Sequence, residues 1–151
     1  MNVHHSNDRV HALLQNDDDY DILLIQEPWF HTVAMLHSDK DPKGHPQLGT
    51  PINNKWDLHL PKHNMGKLCK VITYSKKKIA SCVHNLIQHP LSGLSIILLN
   101  ILEQDIVALQ VVNVYHNIPT QGHGLHPLFS YNTDELTPML FIGDFNTHSL
   151  L

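Results

Sequence analysis

The sequence predicts an α+β fold in which strands outnumber helices, and three observations support this. Three stretches rich in apolar and β-branched residues follow one another at residues 68–74, 79–87 and 94–102. Only one segment, near the start, has a clear helical spacing of apolar residues. The chain has 151 residues, of which 42% are hydrophobic and 16% charged, so it can bury a core. We therefore expect one domain over residues 1–151.

The chain opens with a predicted strand, helix, strand unit over residues 1–29. Ser6 can cap a short helix in which apolar residues recur at i, i+3 and i+4 from Val10. Residues 22–25 then form a continuous apolar run, which is typical of a strand buried on both faces.

Residues 30–66 are predicted to be a long surface connection. This segment is rich in His, Pro, Gly, Asn and Lys and has little periodicity, so it would hold at most a short strand or turn. Connections of this length in compact domains are often functional.

The second half of the chain is predicted to be largely antiparallel strands joined by short turns. The apolar stretches at 68–74 and 79–87 flank three consecutive lysines, which we expect to form the turn of a hairpin. A further strand at 106–115 is followed by a polar excursion over 116–138 with a brief helix. The last predicted strand, 139–142, is apolar throughout and should be buried on both faces.

Composition narrows the classes of function. The formal net charge is -4 and the pI about 6.4, so no global positive field indicates nucleic-acid binding. Cys69 and Cys82 have neither zinc-finger spacing nor the density of a disulfide scaffold. The apolar stretch at 94–102 is too short to span a bilayer, and no targeting pattern opens the chain. We expect an intracellular protein without a membrane partner, with the nucleus as one candidate compartment.

Oxygen-bearing side chains follow two of the predicted strands. Gln26-Glu27-Pro28-Trp29 follows the first apolar run and Gly143-Asp144-Phe145-Asn146 follows the last. Carboxylate oxygens are the ligands that Mg²⁺ prefers, and one or two of them suffice because the ion keeps waters and phosphate oxygens. The two strand ends therefore indicate a shared cation site.

Four segments in order carry a resemblance to a known family. They are Asn2-Val3-His4-His5-Ser6 with Asp8-Arg9-Val10, residues 20–29, Asn113-Val114-Tyr115 with Pro119, and residues 143–148. On these segments the chain resembles the endonuclease/exonuclease/phosphatase superfamily, and most of all the endonuclease domain of fungal non-LTR retrotransposons.

The resemblance implies a fold and an activity. The fold would be a partial four-layer α/β sandwich, with two packed, largely antiparallel sheets flanked by helices and the C-terminal strands missing. The activity would be Mg²⁺-dependent hydrolysis of phosphodiester bonds, with Mn²⁺ as the alternative ion. Its partner would be DNA, nicked at a retrotransposon target site, and a reverse transcriptase would once have been fused downstream.

The resemblance also assigns roles to individual residues. Glu27 would be the main metal ligand, with Asn2 beside it, and Asp144 would position and activate the attacking water. Asn146 would donate a hydrogen bond to the phosphoryl oxygens, and the Tyr115 hydroxyl would contact a phosphate oxygen. Alternation along an extended chain independently places Asp144 and Asn146 on one side. Asn113 would support Tyr115 or neighbouring loops.

The sequence departs from the family pattern at two points. Three residues separate Tyr115 from Pro119, slightly more than is usual. The family's later Ser-Asp-His-like segment has no counterpart within the 151 residues, so we expect this chain to be inactive or weak by itself.

Several alternatives remain open. The same metal centre could serve a phosphomonoesterase or a lipid phosphodiesterase, or the chain could be a non-catalytic fragment or binding module. The fourteen histidines could buffer zinc, but His4-His5 and His123 with His126 are the nearest approaches to a ligand pattern. Lys76, Lys77 and Lys78 could meet a phosphate backbone, although lysine-rich turns are usually solvated or protect an edge.

Overall fold

The computed structural model of the chain describes residues 1–16, 19–38, 41–60, 70–80, 83–87, 94–104, 106–116 and 138–144. Strands dominate these residues, and most pair antiparallel, which confirms the predicted α+β class. The helices are α1 (Asn7–Gln15) and α2 (Lys77–Ala80). The strands are β1 (Ile22–Gln26), β2 (His31–Ser38), β3 (Asp41–Gly49), β4 (Trp56–His59), β5 (Val71–Lys76), β6 (Val83–Ile87), β7 (Leu94–Glu103), β8 (Ile106–His116) and β9 (Met139–Asp144).

The first sheet has the strand order β1-β5-β4, with both pairs antiparallel. Residues at the start of the chain extend this sheet, because Asn2 forms an isolated parallel bridge with Gln26. The predicted opening strand is thus reduced to a single bridge in the structure.

The second sheet has the order β6-β7-β8-β9. Strands β7 and β8 form a long antiparallel hairpin, and β9 pairs parallel to β8 with Tyr115 beside Asp144. Because β8 and β9 run in the same direction, their carboxyl ends lie at the same edge of the sheet.

Helix α1 packs on the outer face of the first sheet, as its amphipathic pattern predicts. The Ser6 side chain accepts a hydrogen bond from the backbone N–H of Arg9 at 3.4 Å, which confirms the predicted N-cap. At the other end of the helix, the indole Nε1 of Trp56 donates to the carbonyl of Leu14 at 3.1 Å. The buried residues of this core are Val3, Val10, Leu14, Leu23, Ile25, Trp56, Ile72 and Tyr74.

The inner face of the first sheet packs on the second sheet. Val71 of β5 contacts Ile97 of β7 and Tyr115 of β8 in a buried cluster between the two sheets. The other face of the second sheet carries a separate buried cluster of Ile96, Leu98, Val112 and Val114. The two packed sheets with α1 outside agree with the expected sandwich, whereas most of the expected excursion over 116–138, with its brief helix, lies outside the described residues.

Three expectations are corrected by the strand pairing. Strands β5 and β6 belong to different sheets, so they do not form the hairpin predicted around the three lysines. Lys77 and Lys78 instead begin α2, which leads the chain away from the first sheet. Strand β9 is buried on one face rather than on both: Met139 and Phe141 pack on the core of the second sheet, whereas Leu140 is 46% and Ile142 40% exposed.

The segment predicted as a long connection is more regular than its composition suggested. Strands β2 and β3 pair antiparallel into a two-stranded sheet of their own, and β4 joins the first sheet. Irregularities in the β2–β3 register accompany the glycine and prolines of β3, which conceal its strand character in the sequence.

The part of the chain that the structure describes contains no helix of the length and apolar character needed to cross a bilayer.

Candidate functional site

Three strand ends and the start of the chain meet at one rim of the two-sheet structure. Glu27 directly follows β1, Tyr115 is the penultimate residue of β8, and Asp144 is the last residue of β9. The Tyr115 hydroxyl donates to Oε1 of Glu27 at 2.8 Å, and Nδ2 of Asn2 donates to Oδ2 of Asp144 at 3.2 Å. Four of the five side chains assigned to the site from the sequence are therefore brought together.

The fifth residue, Asn146, lies outside the described residues, as do His148 and the His123–His126 pair. The placement of Asn146 on the same side of the chain as Asp144 stays a prediction.

Glu27 has an unusual backbone and a defined carboxylate. Its φ of 49° lies in the left-handed region, which non-glycine residues rarely occupy. Its backbone N–H donates to the carbonyl of Lys70 at 2.9 Å, and its own carbonyl accepts from the N–H of His5 at 2.8 Å. These contacts hold the left-handed turn, which directs the chain away from β1 at the point where the carboxylate is presented.

His4 and His5 form a turn that contacts Glu27. Both have left-handed φ values, 50° and 55°, so three of the four non-glycine residues with positive φ in the described chain lie at this site. Nδ1 of His4 is 3.3 Å from Oε2 of Glu27, and Nδ1 of His5 is 3.1 Å from the carbonyl of Pro28. Strained backbone of this kind is often concentrated at functional sites.

Asn2 links the two acidic residues through its amide group. Its Oδ1 accepts the backbone N–H of His4 at 2.9 Å, which turns Nδ2 toward Asp144. The same amide also helps to lower the pKa of the Glu27 carboxyl. In this arrangement the Asn2 amide donates to Asp144 and lies near Glu27, and its role as a metal ligand beside Glu27 stays a prediction.

Hydrogen bonds and burial shift the pKa values of Glu27 and Tyr115. The bond from Tyr115 is the main cause that holds the pKa of Glu27 below its usual value; bonds from Asn2 and His4 add to this, while burial opposes it. Burial, followed by the bond to Glu27, raises the pKa of Tyr115 to about 12. At neutral pH the site therefore holds an ionised Glu27 and a phenol that remains a donor.

The Tyr115 hydroxyl bonds Glu27 within the protein. The single hydroxyl proton of a phenol can serve one strong acceptor, and here that acceptor is Glu27. The contact of this hydroxyl with a phosphate oxygen stays a prediction.

Gly143 explains how Asp144 comes so close to β8. A Cβ atom at position 143 would lie 1.9 Å from the carbonyl oxygen of Val114, so any larger residue would push the two strands apart. The glycine in Gly-Asp-Phe-Asn is thus required by the close approach of β9, which brings Asp144 beside Tyr115.

The lysine cluster lies at the other end of the first sheet. Lys76 and Lys78 contact Oδ1 of Asp21 at 3.4 Å and 2.8 Å, and the Lys76 ammonium lies 5.9 Å from the centre of the Trp56 ring. Asp21 precedes β1 and Glu27 follows it, so these charges are about 20 Å apart along the strand. The lysines therefore do not line this site.

Two features of the site were not found from the sequence. The contact of His4 with Glu27 was not predicted, although the place of His4-His5 between Asn2 and the Ser6 cap is compatible with a tight turn. The side chains of Gln26 and Asn113 also meet, at 2.7 Å, beneath the rim. The sequence signal for this contact was that Gln26 directly precedes Glu27 and Asn113 lies two residues before Tyr115.

The donor set fits a hard divalent cation. Glu27 and Asp144 supply carboxylate oxygens, and Mg²⁺ commonly uses one or two carboxylates together with water and substrate oxygens. Among the described residues, no group of three His, Cys, Asp or Glu side chains forms a metal cage by itself. Two carboxylates at one rim suit an ion that retains several waters better than they suit zinc, which prefers a closed set of nitrogen and sulfur ligands.

Comparisons with known proteins give one match. The model of the Endonuclease/Exonuclease/phosphatase family matches residues 1–150. No curated protein and no solved structure matches the chain.

Proposed function

Because the chain belongs to the endonuclease/exonuclease/phosphatase family, we propose that its Glu27 centre binds Mg²⁺ and hydrolyses phosphodiester bonds in DNA. The family as a whole indicates hydrolysis of the nuclease or phosphatase type and is generally dependent on a divalent metal. The observation that carries the proposal is the convergence of Asn2, Glu27, Tyr115 and Asp144 at one rim.

In the proposed site each residue has one task. Glu27 holds the ion, and Tyr115 and His4 fix the orientation of its carboxylate. Asn2 keeps the Asp144 carboxylate beside that of Glu27. Asp144 accepts a proton from the attacking water, and Asn146 donates to the phosphoryl oxygens.

A bound divalent ion would supply charge neutralisation at the phosphoryl group. This contribution matters here because the chain has a formal net charge of -4 and its lysine cluster lies at the far end of the first sheet. The protein residues then need only to orient the water and the phosphate.

Metal titration tests the proposal directly. Isothermal calorimetry with Mg²⁺ and Mn²⁺ should show one site in the wild type, and Glu27→Gln and Asp144→Asn should each weaken it by about tenfold or more. Glu103→Gln removes an exposed carboxylate at the end of β7 and should leave binding unchanged. Equal metal binding in all four proteins would refute the proposed centre and favour a non-catalytic fragment or binding module.

A substrate panel tests the reaction. With Mg²⁺, the wild type should convert supercoiled plasmid to the nicked form, slowly if the chain is weak by itself, and Glu27→Gln should abolish this conversion. Hydrolysis of small phosphomonoesters or phospholipid headgroups without plasmid nicking would instead assign the centre to a phosphatase or lipid phosphodiesterase.

We extend the proposal to target-site nicking by a fungal non-LTR retrotransposon, with a reverse transcriptase encoded alongside. This source is supported by the order and residue identities of the four sequence segments, above all Gln26-Glu27-Pro28-Trp29 and residues 143–148. The genomic sequence beyond the Leu151 codon tests it: a Ser-Asp-His segment and polymerase motifs are expected, and an unrelated gene structure would contradict the retrotransposon assignment.

A further inference from the structure

A pair of amide side chains lies in the interface between the two sheets, directly beneath the rim. Nε2 of Gln26 donates to Oδ1 of Asn113 at 2.7 Å. Nδ2 of Asn113 donates in turn to the carbonyl of Ile72 at 2.9 Å and contacts Oγ1 of Thr73 at 3.3 Å. Gln26 is 2% exposed, and Asn113 and Thr73 are fully buried, so this network excludes bulk water.

The Gln26–Asn113 contact lies next to the Glu27–Tyr115 contact of the site and connects the same parts of the two sheets. Gln26 immediately precedes Glu27, and Asn113 lies two residues before Tyr115 on the same face of β8. The Gln26–Asn113 bond and the Glu27–Tyr115 bond therefore join the same two chain segments, one from each sheet.

The apolar part of the interface cannot fix this alignment by itself. Val71 and Ile97 pack between the sheets, but apolar contacts are non-directional and tolerate a small sliding of one sheet over the other. A buried hydrogen bond does not tolerate it, because an unpaired buried amide is costly. The network to Ile72 and Thr73 adds a second fixed point on β5.

We propose that Gln26 and Asn113 are positioning residues that hold the Glu27 carboxylate against the Tyr115 hydroxyl. Without the pair, the first sheet is free to shift relative to β8, and the Glu27–Tyr115 bond is lost. The consequence for metal binding, weaker affinity through a misplaced Glu27, rests on the proposed function; the consequence for the Glu27–Tyr115 bond does not.

Single and double leucine variants separate positioning from simple stability. Gln26→Leu leaves the buried Oδ1 of Asn113 without its donor and Asn113→Leu leaves the buried Nε2 of Gln26 without its acceptor, so each should lower the melting temperature. The double variant Gln26→Leu/Asn113→Leu removes both amides and should be more stable than Asn113→Leu, although the Ile72 carbonyl still loses the donor that Asn113 supplied. The matched control is Ser75→Ala, which removes a buried hydroxyl bonded to His59 at the other end of the same interface.

Two readouts are measured on each variant. The first is the ¹³Cζ chemical shift of Tyr115, which reports its hydrogen bond with or without metal; Glu27→Ala gives the reference value for a Tyr115 without its partner. The second is the Mn²⁺ dissociation constant. In the double variant the shift should move toward the Glu27→Ala value and the dissociation constant should rise about fivefold or more, while Ser75→Ala changes neither.

The outcomes distinguish the two proposals. If the double variant regains stability and keeps the wild-type shift, the amide pair has only a structural role and this inference is overturned. If the wild type binds no Mn²⁺ but the shift moves as expected, the positioning role holds and the proposed metal centre fails.

Discussion

Glu27 is held in place through both its backbone and its side chain. Its backbone has the left-handed conformation that ordinary residues avoid, and both oxygens of its carboxylate have a partner, Tyr115 or His4. A strained residue persists only where the surrounding structure compensates for the strain. The arrangement therefore presents one ionised carboxylate in a fixed orientation, as a ligand for a hard cation requires.

Replacing Tyr115 with phenylalanine should raise the pKa of Glu27, because the hydrogen bond from this hydroxyl is the main cause of its lowered pKa. A lowered carboxyl pKa stabilises the fold above the unfolded value of 4.5, and this contribution is lost as the pH falls through the folded pKa. Tyr115→Phe should therefore lose part of this contribution at neutral pH. NMR titration of the glutamate side-chain carboxyl carbons measures the shift.

Tyr74→Phe is the control for this prediction. Tyr74 is also buried, but its hydroxyl donates to the carbonyl of Pro51, away from the rim. The prediction fails if Glu27 titrates identically in the wild type and in Tyr115→Phe.

At the scale of elements, strands β4 and β5 contain a second polar cluster in the sheet interface. Nε2 of His59 lies 2.8 Å from Oγ of Ser75, and Asp57 is paired with Ser75 across the two strands. These three residue types resemble a hydrolytic triad in composition. Ser75 is fully buried, however, so its hydroxyl cannot reach a substrate, and the cluster is a structural contact between strands.

His59 should make the stability of the fold depend on pH. Burial lowers its pKa below the ordinary 6.5, and nearby Asp57 opposes this only in part. The unfolded chain therefore protonates His59 more readily than the folded chain does. The contribution of neutral His59 to stability is fully present above about pH 6.5 and is lost as the pH falls toward the folded pKa. Melting temperatures measured from pH 7.5 to 5 should decrease less in His59→Gln than in the wild type.

The control for this pH dependence is His11→Gln, which replaces an exposed histidine on α1. It should retain the wild-type pH dependence. Parallel curves for the wild type and His59→Gln would show that His59 does not cause the acid loss of stability.

At the scale of the whole molecule, the two sheets depend on each other for burial. Val71, Ile97 and Tyr115 form a buried cluster to which both sheets contribute, and Asn113 bonds across the same interface. Neither inner face could be exposed to water without losing these contacts. We therefore expect the first sheet and the second sheet to unfold as one cooperative unit.

Ile97→Ala tests this cooperativity. Truncating this buried side chain should lower the free energy of unfolding by about 2–5 kcal/mol, since it removes transfer energy and leaves a cavity. Urea unfolding followed by Trp56 fluorescence in a Trp29→Phe background reports the first sheet, although Ile97 lies in the second. A Trp56 transition with an unchanged midpoint would show that the sheets unfold independently.

Local patterns in the sequence determined much of this molecule. The Ser6 cap and the spacing from Val10 fixed α1, and the apolar runs located β1, β7, β8 and β9. The polar residues that end two of those runs pointed to Glu27 and Asp144, because a strand leaving a sheet shows an abrupt change from apolar to polar residues; Tyr115 was assigned by the family resemblance. These features depend on neighbours in the chain, so a single sequence contains them.

Tertiary structure alone decided which strands pair and which side chains meet. Strands β5 and β6 are adjacent in sequence but lie in different sheets, the lysines pair with Asp21 far from the site, and Tyr115 donates to Glu27. The sequence shows that Gln26 and Asn113 neighbour Glu27 and Tyr115, but not that these two residues, 87 positions apart, bond each other. Such contacts follow from how two sheets bury their apolar faces together, and that choice depends on the energy of the whole fold rather than on any short segment.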